Sequence, residues 1–302
     1  MKKEIAFIGL GKMGAGIVRQ LLEHKWKVLG YNRSQDIVKA LKREGMVPMH
    51  SFAEIKSMKT PRLVWLMLPA GKTVDEILFS TSGILPHLDR GDIVIDGGNS
   101  FYKDSIARDK KLAKRGIRFI DVGFSGGPGG ARRGGCLMIG GDQKAFRAVE
   151  QIFRDVSLSD GYRFFSGAGA GHFVKMIHNG IEYGMMQAIG EGFEILKKSK
   201  FKLNLTKVAE IYNRGSVIES RLVGWLKSAF DEYGEELKPI SSTVGHTGEG
   251  EWTAKTAREL KVPAKIIEGS FQFRVRSKKN PSYTGKVVSA LRGQFGGHSV
   301  KK

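Results

Sequence analysis

The chain has 302 residues, enough for one large or two ordinary domains, and its 41% hydrophobic and 26% charged residues exclude a disordered protein. It contains no run of about 18 apolar residues, so the sequence predicts no membrane-spanning helix. The one cysteine, Cys136, excludes an intrachain disulfide and is typical of a protein of the reducing cytoplasm.

The net charge of +20 makes nucleic-acid-binding proteins a class to consider. The basic residues are spread along the chain without an interleaved series of aromatic residues, so we expect no nucleic-acid partner. A basic surface also serves an enzyme whose substrates are phosphates and carboxylates, because it raises their concentration near the protein.

The first part of the chain, up to about residue 165, alternates short apolar runs with helical patterns. Strands are predicted at residues 5–10, 27–31, 63–68, 93–96 and 119–122, and the helices between them include 15–24 and 102–115. Apolar runs of this length indicate strands buried on both faces, and their alternation with helices indicates a doubly wound parallel sheet of the Rossmann type. Cys136 lies in a further strand-like stretch and is expected to be a small core residue.

A glycine-rich segment follows the first predicted strand and opens the first helix. It reads Gly9-Leu10-Gly11-Lys12-Met13-Gly14. In this context one glycine makes a tight turn, the next lets the backbone approach a pyrophosphate, and the third lets the helix pack on the strand. The helix N-terminus then offers free N–H groups to the phosphates. We therefore predict that these six residues bind a dinucleotide.

The residues after the second strand indicate which dinucleotide is bound. An NAD enzyme usually has an acidic residue there, which binds the ribose 2′-hydroxyl. This chain has Asn32, Arg33 and Ser34 instead, so no carboxylate repels a 2′-phosphate and a guanidinium is present to pair with it. The sequence favours NADP, with NAD as the alternative if Arg33 is only a surface residue.

Two further loops follow predicted strands at the carboxyl edge of the sheet, where open α/β sheets bind their ligands. Residues 96–99 read DGGN, and residues 121–130 read DVGFSGGPGG. Small residues leave backbone N–H groups free to bind an anion such as a carboxylate. The alternative is a loop that is rich in glycine for steric reasons alone.

After residue 165 the strand patterns fade and long helical patterns follow. Helices are predicted at residues 170–199, 204–214, 219–231, 251–260 and 263–276. We expect two domains: an NADP-binding Rossmann-type domain at 1–167, and a reduced, all-helical substrate and dimerisation domain at 168–302. The last residues, 293–302, are expected to form an extended polar tail.

One of these helices carries a polar stripe on an apolar background. The residues at helical positions i, i+3, i+4 and i+7, which share one face, are Lys175, His178, Asn179 and Glu182. Buried lysine and glutamate are rare unless they are paired or functional, so Lys175 and Glu182 are candidate functional residues. The alternative is a structural ion pair between them beside a core histidine.

Segment 171–183, GHFVKMIHNGIEY, closely resembles a motif of 6-phosphogluconate dehydrogenases. Segments 96–100 and 121–130 are similar to further motifs of that family, in the family's order. The chain is much shorter than the family's long form and looks like its short bacterial and archaeal type. The resemblance implies an NADP-dependent, decarboxylating enzyme that converts 6-phospho-D-gluconate to D-ribulose 5-phosphate and carbon dioxide in the pentose phosphate pathway.

The resemblance also implies a role for each candidate residue. Lys175 would be the general base for the 3-hydroxyl of the substrate, and Glu182 would protonate C1 of the enediol after carbon dioxide leaves. An apolar helix face would favour the neutral lysine that this chemistry needs. The substrate carboxylate and hydroxyls would be bound by Asn99, Ser125, Gly126, Gly127, His178 and Asn179. Asn99 would bind the cofactor as well. The phosphate would be bound by Tyr183 and Arg274, and the mechanism implies no metal ion.

Segment 292–298, RGQFGGH, is similar to a C-terminal segment of the family that enters the active site of a partner subunit. Arg292 would then bind phosphate, and His298 the substrate, within a homodimer or homotetramer. Where the long form carries a lysine and a threonine for the phosphate, this chain has Thr247 and Glu249. Glutamate is a poor phosphate ligand, so phosphate binding is expected to depend more on Arg274 and Arg292.

Two other function classes stay open. A non-decarboxylating β-hydroxyacid dehydrogenase, such as one acting on 3-hydroxyisobutyrate, shares the fold, the glycine loop and the helix lysine but does not need Glu182. A dinucleotide sensor or a nucleic-acid-binding protein without catalysis would need neither Lys175 nor Glu182.

Overall fold

The computed structural model describes residues 3–297, 299 and 300, and the chain divides into two compact units, Met1–Lys175 and Met176–Lys302. The division falls inside one long helix, α7 (Ala170–Lys198). The domain boundary expected after residue 167 lies between the last strand and this helix. Within the described residues, no helix is long and apolar enough to cross a membrane.

The N-terminal unit is built on a sheet of eight strands. The strands are β1 (Glu4–Ile8), β2 (Lys27–Tyr31), β3 (Val47–Pro48), β4 (Leu63–Leu66), β5 (Ile93–Asp96), β6 (Arg118–Ser125), β7 (Gly135–Gly141) and β8 (Ser157–Ser166). They lie in the order β3-β2-β1-β4-β5-β6-β7-β8, and all neighbours pair in parallel except β6 and β7. The order reverses at β1, which borders both β2 and β4, and such switch points are where α/β sheets bind ligands.

Six helices alternate with these strands, as expected for a doubly wound fold. They are α1 (Lys12–Glu23), α2 (Gln35–Arg43), α3 (Lys72–Phe79), α4 (Tyr102–Ala113), α5 (Gly127–Arg133) and α6 (Gln143–Val156). Two core clusters cover the two faces of the sheet. Along β1, Ile5 and Phe7 belong to one cluster, whereas Ala6 and Ile8 belong to the other. Burial on both faces explains why these strands read as continuous apolar runs.

The predicted Rossmann-type class is confirmed, and five strands lie where the sequence predicts them. β3 has only two residues, and β8 exposes many of its residues, so neither has the apolar pattern of a buried strand. The sheet is parallel, as predicted, except where β7 runs antiparallel to β6. Cys136 lies in β7, but its side chain is exposed, so the prediction of a core residue is wrong. Its neighbour Leu137 is buried, and alternation along a strand turns Cys136 to the opposite face.

The C-terminal unit consists of helices joined by loops, which confirms the predicted all-α second part. After α7 come α8 (Leu205–Tyr212), α9 (Arg221–Tyr233), α10 (Glu249–Glu259), α11 (Lys265–Arg276) and α12 (Tyr283–Gly296). Its core is a cluster of apolar side chains that includes Met186, Phe193, Leu226, Phe230 and Leu291.

The extended tail predicted from residue 293 starts later, because the last helix, α12, continues to Gly296. Residues 293–296 are helical, although two of the four are glycines, each of which disfavours a helix by about 1 kcal/mol relative to alanine. Packing compensates for this cost, because Leu291 is fully buried and the ring centroids of Phe295 and Trp225 are 5.4 Å apart.

Candidate active site

The dinucleotide loop joins β1 to α1, and its glycines are required by geometry. Gly9 has a φ of +101°, and a Cβ there would collide with the carbonyl oxygen of Met67. A Cβ at Gly14 would collide with the carbonyl oxygen of Gly9. A Cβ at Gly11 would meet no atom within 4 Å, so the backbone there is open to a ligand at the helix N-terminus, where the dipole favours a pyrophosphate. The other predicted residues of this loop are Leu10, Lys12 and Met13.

The loop after β2 is tied to the dinucleotide loop. The backbone N–H of Leu10 donates a 3.0 Å hydrogen bond to Oδ1 of Asn32. Arg33 and Ser34 follow with exposed side chains, and Ser34 is the N-cap residue of α2. The structure therefore brings both predicted cofactor segments together, and no carboxylate stands in the segment from Asn32 to Ser34.

The loop after β5 carries Asn99 and is held by a buried aspartate. Asp96 accepts hydrogen bonds from the backbone N–H of Gly98 at 3.1 Å and from the hydroxyl of Ser100 at 2.8 Å. The Arg108 guanidinium, which is 1% exposed, lies 3.2 Å from the same carboxylate. These bonds fix the turn on both sides of Asn99, which is itself exposed.

A second buried aspartate, Asp121, ties β6 to the start of α7. Its Oδ1 accepts from the backbone N–H of Gly169 and its Oδ2 from that of His172, both at 2.7 Å. N–H groups at a helix start are thus paired with a carboxylate, which the helix dipole also favours. Burial raises the pKa of the Asp121 carboxyl, while His172 and the two backbone hydrogen bonds oppose that rise. His172 itself is buried, with Nδ1 at 2.7 Å from the Ser105 hydroxyl oxygen.

Glycines bring the first turns of α7 close to the sheet. A Cβ at Gly123 in β6 would collide with Cβ of Lys175. A Cβ at Gly171 would lie 2.5 Å from the backbone nitrogen of Gly140 in β7. Lys175, which is 7% exposed, is therefore packed directly on the backbone of β6.

The predicted anion loop follows at the carboxyl end of β6. Ser125 is the last residue of the strand, Gly126 is the N-cap of α5 and Gly127 is its first residue. Gly126 and Gly127 have φ angles of +127° and +60°, which side chains rarely adopt. The glycines are therefore needed for the turn that begins two residues after the Gly123–Lys175 contact.

The next turns of α7 carry the rest of the polar stripe. His178 Nδ1 lies 2.9 Å from Oδ1 of Asn179 and 3.8 Å from Oε2 of Glu182. The side chains of His178 and Glu182 are 36% and 22% exposed, so His178 is not a core histidine. Because the helix is continuous, Lys175 lies one turn before His178 and two turns before Glu182 on the same face.

Three predicted phosphate ligands come together in the C-terminal unit, in what we call the arginine cluster: Tyr183, Arg274 and Arg292. The guanidinium carbon of Arg274 lies 3.3 Å from the centroid of the Tyr183 ring, and Arg274 is 4% exposed. Burial lowers the pKa of Arg274 to about 10, and the like charge of Arg292 acts in the same direction. Burial also lowers the pKa of Arg292.

Thr247 and Glu249 stand where the family's long form carries a lysine and a threonine. Both lie at the start of α10, beside the arginine cluster. Glu249 is 4% exposed and accepts hydrogen bonds from the Thr247 hydroxyl at 2.8 Å and from Nδ2 of Asn179 at 3.4 Å. Its charge acts on both Arg274 and Arg292. His298 lies outside the described residues, so its predicted role stays a prediction.

The sequence predicts no role for four residues that are buried around these loops: Asp96, Arg108, Asp121 and His172. The sequence did contain a signal for Asp96 and Asp121, because each is an acidic residue in a mostly apolar strand. In the structure the two are paired in register across β5 and β6. Buried carboxylates require partners, so each predicts a hydrogen-bonded loop or helix end. The two N–H partners of Asp121, and the Arg108 that contacts Asp96, lie elsewhere in the chain and have no local pattern.

Two family models match the chain and together cover most of it. The NAD binding domain of 6-phosphogluconate dehydrogenase matches residues 4–163, and the C-terminal domain of 6-phosphogluconate dehydrogenase matches residues 171–293. The chain belongs to the 6-phosphogluconate dehydrogenase family. Its first part is therefore an NAD(P)-binding domain of a family of oxidoreductases, and the family indicated by the sequence motifs is confirmed.

Relatives within the 6-phosphogluconate dehydrogenase family extend this match over the full chain. The Bacillus subtilis (strain 168) protein YqeC, provisionally named a 6-phosphogluconate dehydrogenase, is 45% identical over 302 residues, which is 99% of each chain. The NAD(+)-dependent, decarboxylating 6-phosphogluconate dehydrogenase of Haloferax volcanii is 36% identical over 301 residues, again 99% of each chain.

A solved structure from the same family has the same fold. It is the Plasmodium falciparum 6-phosphogluconate dehydrogenase, described in its apo form and in complex with its cofactor NADP+ and its substrate 6-phosphogluconate. It matches with a TM-score of 0.79 at 29% identity, over 95% of this chain and 70% of that chain. The relatives thus differ in the nicotinamide cofactor that they are named for.

Proposed function

We propose that the chain is an NADP-dependent 6-phosphogluconate dehydrogenase that oxidises and decarboxylates 6-phospho-D-gluconate to D-ribulose 5-phosphate. The observation that carries this proposal is the arginine cluster. Two guanidinium groups, the buried Arg274 and the partly buried Arg292, suit a phosphate, which accepts several charge-assisted hydrogen bonds. The charge of Glu182 acts on both guanidinium groups, so the proposed acid and the proposed phosphate ligands share one neighbourhood.

The remaining polar residues are assigned to the carboxylate and hydroxyl groups of the substrate. Neutral N–H, amide and hydroxyl groups suit this task, because they can bind both a carboxylate and hydroxyls. The residues in this role are Asn99, Ser125, Gly126, Gly127, His178 and Asn179, with His298 of the partner subunit.

Lys175 acts as the base in the oxidation step. Its amine takes the proton of the 3-hydroxyl while C3 of the substrate gives up a hydride. NADP held by the glycine loop and the segment after β2 would supply the acceptor for this hydride. Lys175 is 7% exposed and packed on β6, and burial of this kind favours the neutral amine that the step needs.

Lys175 and Glu182 then share the proton transfers of the decarboxylation. Loss of carbon dioxide leaves the electron pair of the broken bond in a C2=C3 double bond, and the Lys175 ammonium gives its proton to the C3 oxygen. Glu182 protonates the former C2, which becomes C1 of the product, while Lys175 takes back the proton of the C3 hydroxyl. Both side chains lie on one face of α7, so one helix presents both to the substrate.

NADP is proposed over NAD because of the segment after β2. The side-chain oxygen of Asn32 is bonded to the N–H of Leu10, and the next residue is the exposed Arg33. A guanidinium at this position pairs with a 2′-phosphate, which NAD lacks.

A homodimer or homotetramer is proposed for the assembly. Helix α7 exposes Ile181, Met185 and Ile195, at 52%, 45% and 70%. Exposed apolar patches are typical of subunit interfaces. Light scattering on the purified protein would test this, and a monomeric mass would contradict both the assembly and the role of His298.

Substrate selectivity tests the proposed reaction. The protein is given 6-phosphogluconate, gluconate or 3-hydroxyisobutyrate with NADP or NAD, and the reduced nicotinamide is followed by its absorbance. We expect reduction with 6-phosphogluconate and a kcat/KM about a thousandfold lower with gluconate, which lacks the phosphate that the arginine cluster would bind. Turnover of 3-hydroxyisobutyrate without turnover of 6-phosphogluconate would contradict the proposal. Salt-sensitive DNA binding without any turnover would indicate a non-catalytic protein.

A further inference from the structure

Glu249 lies against the arginine cluster, and two glycines allow it to do so. A Cβ at Gly250 would collide with the Tyr183 ring, and a Cβ at Gly180 would lie 2.6 Å from Cγ2 of Thr253. The first turn of α10 therefore packs directly on α7, with Glu249 buried there. Side chains larger than hydrogen at either glycine would push the two helices apart.

Two neutral groups hydrogen-bond to this carboxylate. The Thr247 hydroxyl donates to it at 2.8 Å and Nδ2 of Asn179 at 3.4 Å. Gly250, the residue after Glu249, packs on the Tyr183 ring, and the guanidinium carbon of Arg274 lies 3.3 Å from the centroid of the same ring. Glu249 is thus close enough to change the electrostatic potential of the cluster.

We propose that Glu249 is a specificity-determining residue of this anion subsite and weakens its binding of a phosphate dianion. The inference rests on the proposed function, since it takes the ligand of the subsite to be the substrate phosphate. Arg274 and Arg292 supply the positive charge of the subsite, and Glu249 adds a negative charge that acts on both. A negative charge beside two guanidinium cations lowers their attraction for a phosphate dianion.

The substitution Glu249→Gln isolates the effect of the charge. Glutamine has nearly the same shape, its Oε1 can accept from Asn179, and the Thr247 hydroxyl can accept from Nε2 where it now donates. The matched control is Glu251→Gln, which removes the same charge from an exposed position in the same first turn of α10.

Two measurements are made on each variant: the Kd for inorganic phosphate by titration calorimetry, and the KM for 6-phosphogluconate. Glu249→Gln removes one negative charge from the anion subsite, so we expect the Kd for phosphate and the KM for 6-phosphogluconate each to fall by about tenfold. In Glu251→Gln, each constant is expected to change by less than about twofold. Unchanged or weaker phosphate binding by Glu249→Gln would overturn the inference. Glu249→Asp keeps the charge, so tight phosphate binding by that variant would overturn it as well.

The two measurements separate this inference from the proposed function. If the protein does not oxidise 6-phosphogluconate but Glu249→Gln binds phosphate more tightly, the proposed function fails and the assignment of Glu249 holds. If 6-phosphogluconate is oxidised and neither constant changes in Glu249→Gln, the function holds and the assignment fails. Should circular dichroism show that Glu249→Gln is unfolded, Glu249→Ala removes the same charge and has the same expected outcome.

Discussion

The Lys175 side chain combines burial with direct contact to the sheet, because its Cβ lies where Gly123 has no side chain. Replacement by methionine keeps the length of the side chain and removes the amine. We expect Lys175→Met to lower kcat by about a thousandfold, since a general base contributes roughly 10²–10⁴ to the rate. The Kd for NADP, measured by fluorescence, should change by less than about twofold. Activity within tenfold of the wild type would contradict the assignment of Lys175 as base.

Arg33 is the basis for proposing NADP over NAD, since it is an exposed cation in the segment that is hydrogen-bonded to the dinucleotide loop. We expect Arg33→Ala to raise the KM for NADP by about 10- to 100-fold, the effect of losing a charge-assisted hydrogen bond, and to leave the KM for NAD nearly unchanged. Arg43→Ala removes the same charge from an exposed position at the end of α2 and is the control. Equal losses for both cofactors would remove the argument for NADP.

Sequence reasoning found the residues whose chemistry has a local pattern and missed those that act through distant partners. The glycine loop and the segment Asn32 to Ser34 follow strands at a recognisable spacing, and the structure bonds the two together. Arg108 contacts Asp96 from another element, and nothing near Arg108 in the sequence indicates that the pair forms. The carboxylate Asp121 has a local signal as a buried acid, but its two N–H partners lie about fifty residues later.

The start of α7 depends on Asp121, which caps the helix from β6 with both carboxylate oxygens. Asparagine has one acceptor oxygen and an NH₂ group, so Asp121→Asn leaves one of the two N–H groups unpaired. We expect a loss of about 1–3 kcal/mol in the free energy of unfolding and a lower kcat with an unchanged Kd for NADP. Both the unfolding free energy, from urea titration, and kcat are measured.

A matched control for this substitution is Asp142→Asn. Asp142 caps α6 through a single hydrogen bond from the backbone N–H of Ala145, and asparagine is an equally good cap of that kind. Its kcat and stability should therefore stay near those of the wild type. If Asp142→Asn lowered kcat as much as Asp121→Asn, the effect would be general destabilisation rather than positioning of α7.

Helices α7 and α12 are joined by Glu194, whose carboxylate binds Lys198 at 2.7 Å and the N–H and hydroxyl of Thr284. These partners lower the pKa of Glu194 from 4.5 to about 2. Because the folded-state pKa lies below the unfolded value, this stabilisation is complete above pH 4.5 and is lost as the pH falls toward 2.

We therefore expect Glu194→Gln to lower the free energy of unfolding by about 1–2 kcal/mol at pH 7, after allowance for solvent screening, and by less at pH 3. Urea titrations at the two pH values measure the difference. Glu210→Gln, at an exposed position on α8, is the control and should match the wild type at both. A penalty for Glu194→Gln that is independent of pH would contradict a role for the carboxylate charge.

Strands buried on both faces and helices with a long apolar stripe could be predicted from the sequence. Elements stabilised mainly by contact with a neighbouring element could not. β5 and β2 lie at their predicted residues because their apolar runs have no other interpretation. β8 is an exposed edge strand, whose pairing with β7 its composition does not indicate. Helix α12 contains several glycines and is stabilised by packing that sequence periodicity does not reveal.

For the whole molecule, the sequence predicts a dinucleotide-binding sheet followed by helices, but not which helical residues meet. Tyr183, Arg274 and Arg292 belong to three different helices, and only the resemblance to a family predicts from the sequence that they meet. Their convergence in one cluster is a property of the fold of the C-terminal unit. The net charge of +20 suits anionic substrates but does not identify one.

The most direct test of the account is to measure the carbon dioxide and the reduced nicotinamide that form together from 6-phosphogluconate labelled with carbon-14 at C1. The account predicts one mole of labelled carbon dioxide for each mole of NADPH, with D-ribulose 5-phosphate as the other product. Reduced cofactor without labelled carbon dioxide would contradict it, because the enzyme would then oxidise a hydroxy acid without cleaving the carbon–carbon bond, and Glu182 would have no acid role.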